Sequence, residues 1–231
     1  MSAKGYVIVP AAGSGQRMGS KLKKQFLSLG GCPVLVRTLK ALASCEAVTG
    51  IVLVGAADDM AKLKKLTKRI PKVFAITPGG ATRQESVLCG LRALPEEAEL
   101  VAVHDGVRPF VTPALIEASF EAAERFGAAV CAIPVTDTVK VTAEDGFITE
   151  TPDRRTLYAA QTPQTFRAGL LRDAYESAAA RGDLTLTDDA SAVEKYGAVK
   201  VAIVPGSTDN IKLTTPNDLA LGKSIIKRHR Q

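Results

Sequence analysis

Short apolar runs rich in β-branched residues alternate along this chain with longer segments of helical periodicity, and this alternation restricts the fold most. The runs span residues 6–9, 50–55, 72–76, 100–104, 128–134 and 199–204. Continuous apolar runs are typical of strands buried on both faces of a parallel sheet. Helical patterns occupy residues 34–44, 58–68, 83–94, 113–126, 167–181, 188–196 and 216–227. The alternation predicts right-handed βαβ units and a three-layer α/β fold around a mainly parallel sheet.

One segment departs from this pattern. Residues 138–142 and 147–150 alternate apolar with polar positions, and the Ala-Glu-Asp-Gly sequence between them is typical of a turn. This predicts a β-hairpin inserted within residues 135–155. Because such an excursion must bury its apolar side, we expect a dimerisation arm that packs against a partner subunit. With no repeat or linker elsewhere, we expect residues 1–231 to form a single domain.

The amino-acid composition limits the kinds of ligand and the location that we expect for this protein. The net charge of +6 is modest and the basic residues are dispersed. Aromatic residues make up 5% and are not interleaved with the basic runs, so a small anionic substrate is favoured over nucleic acid. The cysteines lack metal-ligand spacing, which indicates reduced thiols. No apolar run has the length of a signal peptide or a membrane span, so we expect a cytoplasmic protein without membrane contact.

A glycine-containing loop follows the first predicted strand. It reads PAAGSGQRM at residues 10–18, a spacing that matches neither the dinucleotide fingerprint nor the P-loop. Its backbone amides could hold phosphate oxygens, or the loop could be a tight turn without a ligand. Arg17 and Lys24 follow closely and favour the phosphate interpretation.

A second motif, VHDGVRP at residues 103–109, ends another apolar strand. Asp105 is suited to Mg²⁺, which is commonly held by one or two carboxylates together with phosphates. Arg108 could contact a phosphate or pair with a carboxylate. We expect the imidazole of His104 to form a hydrogen bond within the turn at the strand end.

Further candidates lie in three other segments. In PGGATRQESV at residues 78–87, Gly80 and Ser86 could line a base pocket, or the segment could be a turn followed by a helix with a threonine N-cap. Arg154 and Lys212, taken alone, are typical of surface charges.

Taken together, these segments resemble the cytidylyltransferase family of the non-mevalonate isoprenoid pathway. The resemblance runs from Val9 to Leu219 through eight ordered blocks. The blocks are PAAGSGQRM (10–18), KQF (24–26), GG…R…SV (79–87), VHDGVRP (103–109), PVTDTVK (134–140), QTPQTF (161–166), TDDASAVE (187–194) and DNIKLTTPNDL (209–219).

The resemblance implies a Rossmann-like nucleotidyltransferase fold and a reaction of CTP with 2-C-methyl-D-erythritol 4-phosphate, with Mg²⁺ as cofactor. It implies a homodimer whose arms are exchanged between subunits. The implied catalytic residues are Arg17, Lys24, Arg154 and Lys212. The implied nucleotide-binding residues are Pro10, Ala11, Ala12, Gly13, Gly80, Ser86 and Gly106. Asp105, Arg108 and Thr138 are the implied substrate residues, with Asp105 also contacting the metal.

Two positions depart from the family pattern. Lys23 occupies a position that is usually proline, and Ala81 occupies one that is commonly acidic. The alternative is ribitol-5-phosphate cytidylyltransferase, which shares most of the blocks. The PAAG opening, Asp153-Arg154 and the TDDASAVE stretch favour the isoprenoid family.

Overall fold

The computed structural model describes residues 4–13, 22–197 and 199–229. Its elements are, in chain order, β1 (Gly5–Ala11), β2 (Ser28–Leu29), β3 (Cys32–Pro33), α1 (Val34–Ser44), β4 (Val48–Gly55), α2 (Met60–Thr67), β5 (Val73–Pro78), α3 (Arg83–Arg92), β6 (Leu100–Val103), α4 (Pro113–Phe126), β7 (Ala128–Pro134), β8 (Val141–Thr142), β9 (Ile148–Glu150), β10 (Tyr158–Arg167), α5 (Ala168–Ala180), α6 (Asp189–Tyr196), β11 (Ala202–Pro205) and α7 (Pro216–Arg228).

Seven strands form the central sheet in the order β11-β7-β10-β6-β1-β4-β5. Strand β10 runs antiparallel to both of its neighbours, whereas the other pairs are parallel. The predicted mainly parallel α/β sheet is therefore confirmed.

Alternate side chains of each strand enter two separate cores. Val7 and Val9 of β1 pack with α1, α2 and α4 on one face. Tyr6 and Ile8 pack with α3, α5 and α6 on the other. Burial on both faces explains why these strands are almost entirely apolar. A third, smaller cluster joins α7 to β2 and to the residues that follow β6.

The caps of α4 match the sequence pattern. The Thr112 hydroxyl accepts a hydrogen bond from the Leu115 amide at 3.3 Å, and Pro113 opens the helix. Gly127 ends the helix with a φ of 90°, a conformation that glycine adopts without a steric penalty.

Strand β10 was not expected from the sequence. The sequence pattern indicates a helix from residue 167 but no strand before it, whereas residues 158–167 form a strand that pairs with β7 and, over residues 164–167, with β6. Four of its side chains, those of Gln161, Thr162, Gln164 and Thr165, are polar and buried. This composition hides the strand from any search for apolar runs. The last strand also begins later than expected, at Ala202 rather than at residue 199.

The predicted hairpin is present as β8 and β9, which pair antiparallel to each other and not to the central sheet. Phe147 is 74% exposed and Ile148 61% exposed in this chain. Two large apolar side chains of the hairpin are therefore left uncovered by the rest of the described chain. No helix among the described residues is long and apolar enough to cross a membrane.

Candidate active site

The candidate site lies where the chain order reverses in the sheet. From β1 the chain proceeds to β4 and β5, and it then returns to β6 on the other side of β1. Such a reversal opens a crevice at the carboxyl ends of the strands, where open α/β sheets bind ligands. The His104 amide bonds to the carbonyl of Ile8 at 2.9 Å, so the two strand ends stay in register up to the crevice.

A cavity of about 420 Å³ occupies this crevice. Segments distant in sequence meet around it: the end of β1, the turn at Lys24, the start of α3, the residues after β6 and the residues after β11. Its lining residues are Pro10, Ala11, Ala12, Gly13, Lys24, Gln25, Gly80, Ala81, Thr82, Arg83, Ser86, Asp105, Val107 and Lys212. Most residues predicted from the sequence for binding a nucleotide therefore meet in one cavity.

Gln25 was not predicted as a site residue, although it lies in the KQF block. Its side chain is 2% exposed, and its Nε2 donates to the carbonyl of Ala11 at 2.8 Å and to that of Gly13 at 3.2 Å. The amide fixes two carbonyls of the glycine loop to the turn that carries Lys24. The loop and the lysine are therefore positioned together.

The start of α3 is fixed by a capping box. The Thr82 hydroxyl accepts from the Glu85 amide, and the Glu85 carboxylate accepts from the Thr82 amide, both at 3.1 Å. Ser86 donates to the Thr82 carbonyl at 2.9 Å and faces the cavity. A Cβ at Gly80 would lie 2.3 Å from the Glu85 Cβ, so this position requires glycine. The alternative of a turn with a threonine N-cap is thus correct, and the same residues also line the cavity.

Asp105 is at the centre of a cluster of cations. Its carboxylate lies 2.9 Å from Lys212 Nζ, 3.5 Å from Arg108 Nε and 3.9 Å from Arg83 Nε. Burial alone would raise the pKa of this carboxyl group, but the neighbouring Lys212, Arg83 and Arg108 outweigh it and hold the pKa at about 2. Asp105 is therefore ionised at neutral pH, and it stabilises three positive charges beside the cavity.

Lys212 is positioned by contacts between the segment after β11 and the rest of the site. The Asn210 side chain is fully buried and donates to the carbonyl of Thr162 at 2.8 Å. The Arg108 guanidinium donates to the Asn210 carbonyl at 2.8 Å, and burial lowers the pKa of Arg108. Pairing with a carboxylate was one of the two alternatives for Arg108, and the structure shows it with Asp105. Arg108 also lines a second cavity.

That second cavity has a volume of about 200 Å³ and adjoins the first. The two share Arg83, Asp105 and Lys212 in their walls. The residues that complete the second one are Arg108, Ala160, Gln161, Thr162, Gln164, Thr187 and Asp188. Two cations, Arg83 and Lys212, thus lie with Asp105 in the common wall of two compartments, which suits two anionic ligands brought close together.

His104 has a structural role. Its Nε2 lies 3.0 Å from the carbonyl oxygen of Arg108, which can only accept, so Nε2 carries the proton. Its Nδ1 accepts from the Thr162 hydroxyl at 3.1 Å, and that hydroxyl oxygen accepts from the Asp105 amide at 3.1 Å. Complete burial lowers the pKa of His104 to about 4. The expected hydrogen bond within the turn at the strand end is confirmed.

Three of the predicted residues that the structure describes, Gly106, Thr138 and Arg154, do not line either cavity. Arg17 lies outside the described residues. Thr138 is exposed, and Arg154 is exposed with its guanidinium donating to the Thr136 carbonyl at 2.8 Å. Gly106 packs behind the wall: its amide bonds to the Pro10 carbonyl at 3.3 Å, and a Cβ there would lie 3.1 Å from Leu35.

The sheet, its crevice and the charged cavity define an α/β protein of the nucleotide-binding class. The family model for 2-C-methyl-D-erythritol 4-phosphate cytidylyltransferase matches residues 6–228. The chain therefore belongs to the 2-C-methyl-D-erythritol 4-phosphate cytidylyltransferase family.

Individual relatives agree with this assignment. The protein with that name from Syntrophus aciditrophicus is 43% identical, over 99% of this chain and 98% of its own length. The one from Geobacter metallireducens is 46% identical, over 96% and 97%. The crystal structure of 4-diphosphocytidyl-2C-methyl-D-erythritol synthase from Anaerococcus prevotii superposes with a TM-score of 0.88 at 32% identity, covering 99% of this chain and 100% of that one. The cytidylyltransferase structure from Thermus thermophilus gives 0.79 at 33% identity, covering 98% and 100%.

Proposed function

We propose that this protein joins CTP to 2-C-methyl-D-erythritol 4-phosphate, giving 4-diphosphocytidyl-2-C-methyl-D-erythritol and pyrophosphate. The observation that carries the proposal is the pair of adjoining cavities with Arg83, Asp105 and Lys212 in their common wall. The reaction needs two anions side by side. Family membership supplies the identity of both substrates.

In the proposed arrangement, the larger cavity takes the nucleotide. Pro10, Ala11, Ala12 and Gly13 present backbone groups to the triphosphate, while Gly80 and Ser86 face the base. The acceptor phosphate takes the smaller cavity, beside Arg108 and Lys212. Gly106 supports the wall from behind rather than touching the ligand.

The acceptor is itself a phosphate monoester, so one of its oxygens attacks the α-phosphorus in line. The bond from that phosphorus to the bridging oxygen breaks, and pyrophosphate leaves with the electron pair. No side chain has to remove a proton from the nucleophile. Positioning of the two substrates can contribute roughly 7–11 kcal/mol. Each well-placed donor at the developing charge adds about 3–4 kcal/mol. Lys24, Lys212 and Arg17 are the proposed donors in this subunit.

We propose that Mg²⁺ accompanies the triphosphate. Asp105 lies in the cavity wall and would offer its Oδ1, because Oδ2 pairs with Lys212 and Arg108 whereas Arg83 Nε is 3.9 Å from Oδ1. The described residues include no group of three or more His, Cys, Asp or Glu side chains that could hold a metal, so most ligands would be phosphate and water oxygens. When bound, the ion neutralises charge on the phosphates.

We further propose that the protein is a homodimer and that the arm carries Thr138 and Arg154 to the partner's acceptor site. The exposed Phe147 and Ile148 support this, because their burial would stabilise such a contact. The position of Arg154 outside both cavities of its own chain also supports it.

Pyrophosphate release tests the reaction directly. The protein is mixed with each of the four nucleoside triphosphates, with either 2-C-methyl-D-erythritol 4-phosphate or ribitol 5-phosphate, and with Mg²⁺ or EDTA. We expect release with CTP, the first acceptor and Mg²⁺ only. Turnover that depends on ribitol 5-phosphate, or equal turnover with all nucleotides, would contradict the proposal.

A further inference from the structure

Asp189 is a fully buried carboxylate that none of the proposed chemical steps uses. It is the first residue of α6, has 0% exposure and is absent from the walls of both cavities. An ionised carboxylate in a protein core is costly unless its oxygens are paired. Its contacts therefore indicate what it is for.

Both oxygens of Asp189 are paired. Arg83 donates Nη1 to Oδ1 at 3.1 Å and Nη2 to Oδ2 at 2.5 Å, and the Tyr175 hydroxyl donates to Oδ1 at 2.5 Å. Burial and the adjacent carboxylate raise the pKa of Tyr175, which keeps the phenol a neutral donor. The backbone of Asp189 is fixed too, because the Asp189 amide donates to Gln164 Oε1 of β10 at 3.0 Å.

This pairing fixes the direction in which Arg83 points. A guanidinium is planar, so two Nη atoms held by one carboxylate also fix the Nε edge. That edge faces Asp105, with Nε at 3.9 Å from Oδ1. Burial alone would lower the pKa of Arg83, but Asp189 and then Asp105 raise it, so the charge is permanent.

We propose that Asp189 is a positioning residue for the active site and that it acts through Arg83. By binding both Nη atoms end-on, Asp189 leaves the Nε edge of the guanidinium towards Asp105, at 3.9 Å, which is too long for a hydrogen bond. The Asp105 carboxylate remains in the common wall of the two cavities, shared with Lys212 and Arg108. Without Asp189, Arg83 would bind Asp105 or a substrate phosphate instead.

A double-mutant cycle tests this inference, which rests on the proposed reaction for its readout. Asp189→Asn, Arg83→Gln and the double variant are compared in kcat and KM for each substrate. We expect each single variant to lose roughly tenfold or more in kcat/KM, and the double variant to be no worse than the poorer single one, because both changes break one pair. Losses that multiply in the double variant would overturn the proposal.

Two further variants, Arg83→Lys and Tyr175→Phe, distinguish a positioning role of Asp189 from a role in folding stability alone. Lysine keeps the charge but cannot form two parallel bonds, so we expect Arg83→Lys to lose as much kcat/KM as Arg83→Gln. Near-normal activity would overturn the proposal even if Asp189→Asn did not fold.

Tyr175→Phe removes one hydrogen bond but keeps the ion pair. We expect it to unfold at lower urea concentration while kcat/KM changes less than about threefold. Activity that followed urea stability across all variants would also contradict the inference. If the unmodified protein releases no pyrophosphate, it is the proposed function that fails.

Discussion

Two adjacent lysines precede Gln25, and the structure gives them different environments. Lys24 lines the larger cavity, whereas Lys23 Nζ pairs with Asp59 Oδ2 at 2.7 Å, ahead of α2. Lys23 stands where the family usually has proline. Its φ of −60° and ψ of 139° are values that proline also adopts, which explains how the chain accommodates the departure.

We predict that Lys24→Ala lowers kcat about a hundredfold or more, because a cation beside the transferring phosphoryl group is removed. Lys23→Ala is the matched control. Lys23 pairs with Asp59 and lines neither cavity, and such a partly exposed pair contributes only about 0.2–1 kcal/mol to stability, so we expect kcat to stay near that of the unmodified protein. Steady-state pyrophosphate release measures both. Similar losses in the two variants would contradict the assignment of Lys24.

The residues that the sequence revealed differ in kind from those that it did not. Lys24, Asp105 and Lys212 carry charge at strand ends or in blocks that resemble a known family, so each gives a local signal. Gln25, Arg83 and Asp189 also lie in such blocks, but each acts through a partner elsewhere in the chain: Gln25 bonds to Ala11, 14 positions away, and Arg83 and Asp189 are 106 positions apart. Pairings of this range depend on the packed fold and leave no local pattern.

Among the elements, β10 separates what the sequence could predict from what it could not. The parallel strands are apolar because helices cover both of their faces, and their periodicity reveals them. Strand β10 instead carries buried polar side chains that serve the site: Gln161 exchanges hydrogen bonds with the Ser207 backbone, and Thr162 bonds to His104. The strand that most directly supports the site is therefore the one that apolar patterns miss.

The arm gives a prediction at this scale. If Arg154 serves the partner's site, mixing inactive Lys24→Ala with inactive Arg154→Ala under conditions that allow subunit exchange restores activity. Random pairing makes half of the dimers mixed, and each mixed dimer has one intact site, so about one quarter of the full activity should return.

The control for this experiment is each variant exchanged with itself, which should stay inactive. No recovery in a mixture that exchanges subunits would show that Arg154 acts within its own chain. Exchange itself is followed with two differently tagged variants.

For the molecule as a whole, the buried imidazole of His104 predicts how stability depends on pH. Its pKa is lowered to about 4 by burial, whereas the unfolded chain binds the proton near pH 6.5. The contribution of neutral His104 to the unfolding free energy is thus fully present above pH 6.5, and it is lost as the pH drops towards 4. We expect a loss of about 3 kcal/mol in unfolding free energy over that window.

Urea unfolding between pH 7.5 and 4 measures this loss, with His104→Gln as the comparison. The variant should be less stable at pH 7.5 but should lose less on acidification. Asp105 does not interfere with this measurement. The pKa of its carboxyl group is about 2 in the folded protein, so its contribution to the unfolding free energy is lost only below about pH 4. Parallel curves for the two proteins would contradict the role given to His104.

The cavity wall draws on both ends of the chain, since Pro10 and Lys212 both line it. Contacts of such long sequence separation form slowly, and a chain emerging from the ribosome completes its N-terminal part first. A nascent chain can therefore pair β1 with β4 and β6 while Asp105 still lacks Lys212. Until the segment after β11 is synthesised, this acid has only its arginine partners, and the common wall of the two cavities lacks Lys212.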